Sequence, residues 1–216
     1  MQACSAHGLK AKLKASADRL AEPQRVRLHR AISWLRRAEV EDEDLDARFI
    51  FLWIAFNAAY AQEFGVGGSE RDRLLTFIGA LLSADREKRL TQLVFRQFPG
   101  PIRTLVENRF VFEPFWRAMR EHDSSSRWEE KFAAARKLAL ASVVAGQTAT
   151  VLSIVFDRLY VLRNQLVHGG ATWNSGANRA QVKDGAALMM AMTPLLVDVM
   201  LDHPEVDFGD ILYPVV

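Results

Sequence analysis

The sequence predicts an all-α protein. Nearly every segment of the 216-residue chain repeats its apolar residues with the period of an α-helix, and very few segments alternate strictly as strands do. Half of the residues are hydrophobic and a quarter are charged, which is ordinary for a globular protein. A chain of this length and composition can bury a substantial core, so we expect one large helical domain or a domain with extensions.

Three helices are predicted near the N-terminus. Residues 7–20 form a first, basic helix, and Pro23 suits the first turn of a second helix that runs to about residue 39. The acidic run at residues 41–46 is favoured at the N-terminus of a third helix, because acidic groups interact well with that end of the helix dipole. Metal binding by these carboxylates is the alternative.

The middle of the chain contains shorter elements. The third helix is expected to stop at the glycines of residues 65–68, and Ser69 is a suitable N-cap for a fourth helix to about residue 82. A further segment covers residues 85–97. The sequence Pro99-Gly100-Pro101 indicates a turn.

Residues 101–120 are predicted to form one or two short helices rich in aromatic residues, which are either core or a base-stacking platform. Ser126 begins a capping-box pattern that opens a helix to about residue 144. A helix of residues 147–168 follows, and Asn178 is the expected cap of a last helix to about residue 202.

The charges are distributed unevenly. The first 40 residues form a basic helical extension in this interpretation, and residues 41–216 form the main helical domain. Beyond Lys183 every charged side chain is acidic. The basic start and the acidic end contact each other, mark opposite ends of a polar molecule, or are simply solvated faces. The net charge is only +2, so no global attraction to nucleic acid is implied.

No metal site, cofactor or membrane segment is expected. Cys4 is the only cysteine, which rules out an internal disulfide and fits a reducing cytoplasm. No pair of histidines has metal-ligand spacing such as i, i+4. The N-terminus lacks an apolar signal core, and the longest apolar run, residues 49–61, is too short for a bilayer.

The most informative segment surrounds residue 165. Arg163, Asn164 and His168 bring a fixed cation, an amide and a group that titrates near neutral pH into six residues. We call these three residues the Arg-His motif. Such groups can bind a phosphodiester and transfer protons at it. The simpler alternative is that Arg163 and His168 are cations favoured at the C-terminal end of a helix, which stops at Gly169.

The spacing indicates that a single copy of the motif does not bring Arg163 and His168 to the same phosphate. Asn164 and His168 share a helix face, whereas Arg163 and His168 are splayed by roughly 140° on an ideal helix. A break at residues 169–170, or a second chain, would bring an arginine and a histidine to one phosphate. We therefore expect a symmetric homodimer with residues 160–170 in its interface.

The segment LYVLRNQLVHGG, residues 159–170, resembles the R-x4-6-H motif of the HEPN superfamily. Residues 53–60, WIAFNAAY, resemble the early core helix of its Apea-like bacterial branches. ATWNS at residues 171–175 and LYPVV at residues 212–216 resemble one bacterial subgroup. The likeness covers roughly residues 45–216 and implies a HEPN-like helical bundle.

The resemblance also implies a chemistry. Active HEPN proteins are metal-independent endoribonucleases that cut RNA as dimers, in toxin–antitoxin and phage-defence settings. By this likeness Arg163 binds the scissile phosphate, His168 is the general acid or base, and Asn164 holds the phosphate or the imidazole. In HEPN toxins paired with nucleotidyltransferase antitoxins, a tyrosine two residues after the histidine is modified; Gly170 stands there in this chain.

Other residues near the motif are candidates for binding RNA. Trp173 and Asn174 follow it closely, and Arg179 and Lys183 share one helix face. A loop packed by its own tryptophan, followed by a solvated helix start, is the alternative. Asn57 interrupts an apolar helix and is expected to brace the motif helix.

Three functions fit these observations. The first is a dimeric ribonuclease, with an antitoxin or regulatory protein as a possible partner. The second is a catalytically silent HEPN module that binds RNA, a nucleotide or a protein. The third is a structural dimer in which Arg163 and His168 only hold the interface.

Overall fold

The fold is all-α, as the sequence predicts. The structure, a computed structural model, describes residues 4–60, 70–209, 211 and 213. Within these residues there are ten α-helices and no β-strand. They are α1 (Ala6–Ala15), α2 (Glu22–Glu39), α3 (Leu45–Tyr60), α4 (Glu70–Ala84), α5 (Arg89–Gln92), α6 (Pro99–Glu107), α7 (Glu113–Arg120), α8 (Arg127–Val144), α9 (Thr148–Val167) and α10 (Arg179–Asp202).

Short helical turns supplement these helices. One 3₁₀ turn follows α1 at Ala17–Arg19, a second lies at Arg109–Val111, and a third precedes α10 at Gly176–Asn178. A π-helical turn, Leu93–Gln97, continues α5.

The chain forms two compact units. The first takes in the described residues up to Leu90 and from Ala186 onward, and the second contains Thr91–Gly185. The predicted boundary near residue 40 falls inside the first unit, where α2 packs against α3. Large apolar side chains fill the core of this unit, among them Leu28, Leu35, Phe49, Leu52, Phe56, Phe77, Met189 and Met192.

Arg27 lies in the first unit and is only 1% exposed. Its Nη1 donates to the carbonyl oxygens of Ala59 at 3.3 Å and Phe208 at 2.8 Å, and its Nη2 donates to that of Gly209 at 2.5 Å. A rigid, planar guanidinium can donate to several carbonyl oxygens at once better than a flexible ammonium group can. Arg27 thus ties α2 to the end of α3 and to the segment that follows α10.

The basic start and the acidic end of the chain contact each other. Lys12 Nζ lies 2.5 Å from Asp198 and 2.6 Å from Asp202, and Arg89 binds the same two carboxylates at 2.6 and 3.2 Å. Burial acts to raise the pKa of Asp202, but hydrogen bonds and charges from Lys12 and Arg89 outweigh it and hold this pKa below its ordinary value. Mutual contact is therefore shown for Lys12 among the basic N-terminal residues and for Asp198 and Asp202 among the acidic ones.

The acidic run at residues 41–46 begins a helix. Asp44 Oδ1 accepts a hydrogen bond from the backbone N–H of Ala47 at 3.0 Å, as an N-cap does. No group of three His, Cys, Asp or Glu side chains that could hold a metal occurs among the described residues.

Three local predictions are wrong. Asn178 directly precedes α10, but its Oδ1 is buried without a hydrogen-bond partner among the described residues, so its side chain does not cap the helix. Pro99 begins α6 and does not form a turn, since the first turn of a helix needs no N–H donor there and accepts proline easily. Ser126 has φ of 56° and makes no side-chain cap hydrogen bond, so the capping box is not formed. The predicted stop at residues 65–68, the cap at Ser69 and most of residues 212–216 lie outside the described residues.

Helix α10 and the turn before it, Gly176–Asp202, are long and apolar enough to cross a membrane by length and composition. However, 78% of the apolar window is buried within the structure, which is the pattern of a core helix in a soluble protein.

Helix α9 lies in the second unit and positions the Arg-His motif. It packs against α6, α8 and the Arg109–Val111 turn. Phe112 and Phe115 are buried beside it, whereas Phe110 is 44% exposed. The aromatic segment is thus partly core, as the simpler of the two interpretations predicts.

Candidate functional site

The motif occupies the C-terminal end of α9. His168 is the C-cap residue, and its backbone N–H donates to the carbonyl oxygens of Asn164 and Leu166. Gly169 follows with φ of +69°, a conformation that favours glycine and ends helices. The helix therefore stops where the sequence predicts.

Arg163 and Asn164 are directly joined. Nη1 of Arg163 donates to Oδ1 of Asn164 at 2.9 Å. The Nε donor of Arg163 is buried without a hydrogen-bond partner among the described residues. This Nε is closed to solvent, so a bound anion would accept from the other N–H groups of the guanidinium.

His168 lies at the surface. Its side chain is exposed, and no hydrogen bond or ion pair joins the imidazole to any described residue. Asn164 is expected from the sequence to orient this ring, but here its side-chain oxygen accepts from Arg163. The imidazole is therefore accessible to a ligand, and its orientation is not set by the amide.

The motif shares its helix face with exposed apolar side chains. Tyr160 and Val167 are 39% and 48% exposed, and they flank Arg163 and Asn164 at the i, i+3, i+4, i+7 spacing of one face. We call residues 160, 163, 164 and 167 the α9 stripe. A mixed apolar and polar stripe of this kind is typical of a protein interface.

The other predicted RNA-binding residues lie just beyond the motif, in the same unit. Trp173 is 74% exposed, so most of its side chain is accessible to solvent. Nη1 of Arg179 donates to Oδ1 of Asn174 at 2.7 Å, and Asn174 has φ of 54°. Lys183 is exposed on the first turns of α10. Of these four residues, the structure joins Arg179 to Asn174.

Asn57 lies on α3 in the first unit and is half-buried. Its role as a brace for the motif helix stays a prediction.

Gln165 is a positioning residue that the sequence did not single out. Its Nε2 donates to the carbonyl oxygen of Phe110 at 2.6 Å, and Nε1 of Trp116 donates to the same oxygen at 2.7 Å. This shared acceptor fixes the end of α9 against the Arg109–Val111 turn. A long-range contact of this type has no signature in the local sequence.

Arg158 is a second residue that the sequence analysis missed. It is 3% exposed, with its guanidinium 4.3 Å from the ring centre of Phe112 and 5.7 Å from that of Phe132. Burial lowers the pKa of Arg158 to about 10, although the charge of Asp157 opposes this. The sequence does indicate that Arg158 is buried, since position 158 falls on the inward face of the helix with Val151, Val155 and Leu162.

Replacing Arg158 by methionine is expected to change the free energy of unfolding by less than about 1 kcal/mol. The Nε and Nη2 donors have no hydrogen-bond partner among the described residues, and a well-packed apolar side chain often replaces a buried cation without loss. Arg158→Ala should instead destabilise the protein by about 2–4 kcal/mol, because it leaves a cavity. Urea denaturation of both variants measures this, and a large loss in Arg158→Met would show that the guanidinium has a bound partner.

Comparison of the chain with known protein families, with curated proteins and with solved structures finds no significant match.

Proposed function

We propose that this protein is a metal-independent endoribonuclease of the HEPN type, acting as a homodimer in a toxin or phage-defence setting. The observation that carries the proposal is the Arg-His motif at the end of α9. Arg163, which is joined to Asn164, lies five residues before an accessible histidine.

Each side chain has a role in cleavage. Arg163 binds the non-bridging oxygens of the scissile phosphate and stabilises the charge that develops on them. One His168 removes the proton from the ribose 2′-OH, whose oxygen attacks phosphorus, and a protonated His168 gives a proton to the leaving 5′-oxygen. The P–O5′ bond breaks, leaving a 2′,3′-cyclic phosphate and a 5′-hydroxyl.

The reaction requires a base and an acid, and each chain carries one motif. The α9 stripe supports pairing of two chains, because its exposed apolar members flank Arg163 on both sides along the helix. An isologous dimer through this stripe places two arginines and two histidines near one twofold axis. Arg163 of one chain and His168 of the other can then contact the same phosphate, although the two side chains of one helix point apart.

The residues after the motif suit a single-stranded RNA. The accessible ring of Trp173 can stack on a base, and Arg179 and Lys183 can contact phosphates. The hydrogen bond from Arg179 to Asn174 keeps that cation beside the loop.

The test is cleavage of a panel of single-stranded RNAs and transfer RNAs by purified protein in excess EDTA. We expect cleavage to persist, because the proposed acid, base and phosphate ligand are all side chains. The products should end in a 2′,3′-cyclic phosphate, which mass spectrometry of the fragments identifies.

Two outcomes contradict the proposal. Activity that EDTA abolishes would mean that the chemistry is different. RNA binding through Arg163 and His168 with no cleavage over the whole panel would favour the catalytically silent module.

A further inference from the structure

A groove with a volume of about 630 Å³ lies between α1 and α2 in the first unit. We call it the α1–α2 groove. Its floor is apolar and includes Ala11, Leu13 and Val26. This volume lies in the range of real binding sites. Ala11 is exposed and Val26 is partly exposed, whereas Leu13 is only 7% exposed. Exposed apolar surface in a groove favours a partner that covers it.

The rim of the groove is basic. Lys10 and Lys14 lie one turn apart on α1, and Arg25 faces them from α2. None of the three has an ion pair or hydrogen bond from its side chain to a described residue, in contrast to Lys12, which binds Asp198 and Asp202. No acidic residue is among the described residues that line the groove.

We propose that the α1–α2 groove binds an amphipathic helix of a partner protein, with acidic residues on both sides of its apolar face. The apolar face covers the floor, and the acidic side chains pair with Lys10, Lys14 and Arg25. This is the helix-in-groove mode of recognition, in which apolar contacts supply affinity and rim charges supply orientation. The inference does not depend on the proposed nuclease activity.

The floor distinguishes this occupant from nucleic acid. Binding of single-stranded RNA combines cations with Trp, Tyr or Phe rings on which bases stack. The described residues that line the groove include no Trp, Tyr or Phe; the only rings among them are the smaller imidazoles of His7 and His29. The floor offers alkyl groups instead of donors for phosphate. Apolar side chains spaced at i, i+3 and i+4 on a helix fit such a floor better.

The experiment uses the full chain and a fluorescein-labelled peptide of roughly 18 residues, a length at which a helix can form in water. The peptide carries leucine at i, i+3, i+4 and i+7, with glutamate on both flanks. Fluorescence anisotropy should show saturable binding that weakens as salt rises. A peptide of the same composition in scrambled order should bind at least about tenfold more weakly, because it has no single apolar face.

Two variants test the site. The double variant Lys10→Glu/Lys14→Glu should weaken peptide binding by about tenfold or more, since like charges then face each other. The matched control, Lys131→Glu/Lys137→Glu, reverses two exposed charges on α8 in the other unit and should leave binding unchanged. Ala11→Trp fills the floor from an exposed position, keeps every rim charge, and should also weaken binding.

Three results overturn the proposal. The first is no saturable binding of the peptide at concentrations of about 100 µM, which corresponds to a very weak complex. The second is peptide binding that neither rim nor floor variants affect. The third is a single-stranded RNA that binds more tightly than the peptide, depends on Lys10 and Lys14, and is insensitive to Ala11→Trp; that result would assign the groove to nucleic acid.

Discussion

Replacing His168 by alanine is expected to lower the rate of RNA cleavage by about 10²–10⁴-fold, the usual contribution of a general acid–base group. The side chain is exposed and caps the helix through its backbone N–H alone, so its removal should leave the fold intact. The measurement is the single-turnover cleavage rate, with circular dichroism and thermal melting to verify the fold.

Arg163→Ala should cause a comparable loss of rate and weaker RNA binding as well. Arg163→Lys should recover little of it, because an ammonium group cannot reproduce the planar fork that binds two phosphate oxygens. Both variants remove the guanidinium that donates to Asn164, so a small loss of stability in both is expected.

Matched variants separate these effects from a general loss of charge. His122→Asn changes another exposed histidine of the second unit, at a backbone position with φ of 52° that asparagine tolerates. Arg127→Ala removes another exposed arginine of that unit. Both controls should cleave at the wild-type rate. Full activity in His168→Ala would exclude the imidazole as acid or base.

Mixing wild-type and His168→Ala chains tests the composite site. The proposed site takes one His168 from each chain, as base and as acid, so a mixed dimer lacks one of them. With random exchange of equal amounts, only about a quarter of the dimers are fully wild-type, and about a quarter of the activity of the same total amount of wild-type chain should remain. A site built within one chain would leave about half of that activity, and a monomeric mass in solution would exclude the dimer directly.

Replacing Arg27 by methionine is expected to destabilise the first unit by about 3–5 kcal/mol, since the change leaves hydrogen-bonded carbonyl groups without their donor. Ala59, Phe208 and Gly209 all lose this guanidinium at once. Arg27→Lys should recover only part of the loss, because one ammonium group cannot reach all three oxygens in the same geometry. Urea denaturation gives the free energy of unfolding.

Arg30→Met is the matched control for this prediction. Arg30 lies on the same helix and donates to the carbonyl oxygen of Tyr213 at 2.5 Å, but this contact is exposed. Water can replace the lost donor there, so the change should cost less than about 1 kcal/mol. Equal losses in Arg27→Met and Arg30→Met would show that burial does not control the strength of these contacts.

Most helices could be predicted from the sequence, because apolar periodicity and glycine positions are local signals. The end of α9 at Gly169 and the start of α2 near Pro23 follow directly from backbone conformation. The prediction of a turn at Pro99 is wrong because proline suits both a turn and the first turn of a helix, and only packing of the later residues selects between them.

The candidate site was less predictable than the helix that carries it. Periodicity places Asn164 and His168 on one face, but the amide binds Arg163 instead, since adjacent side chains of this length can also meet. The contacts of Gln165 with Phe110 and of Arg158 with Phe112 join residues far apart in sequence. Such contacts depend on how helices pack, which local patterns do not specify.

The discontinuous first unit has a consequence for synthesis on the ribosome. The pair Lys12–Asp198 spans 186 residues of chain. At roughly 5–20 residues per second, on the order of 10–40 s pass between the two members of this pair. The second unit is continuous from Thr91 to Gly185 and can fold before Asp198 exists. The nascent chain can thus complete the unit that carries the Arg-His motif first. The apolar faces of the first helices of the chain stay uncovered until α10 has been synthesised.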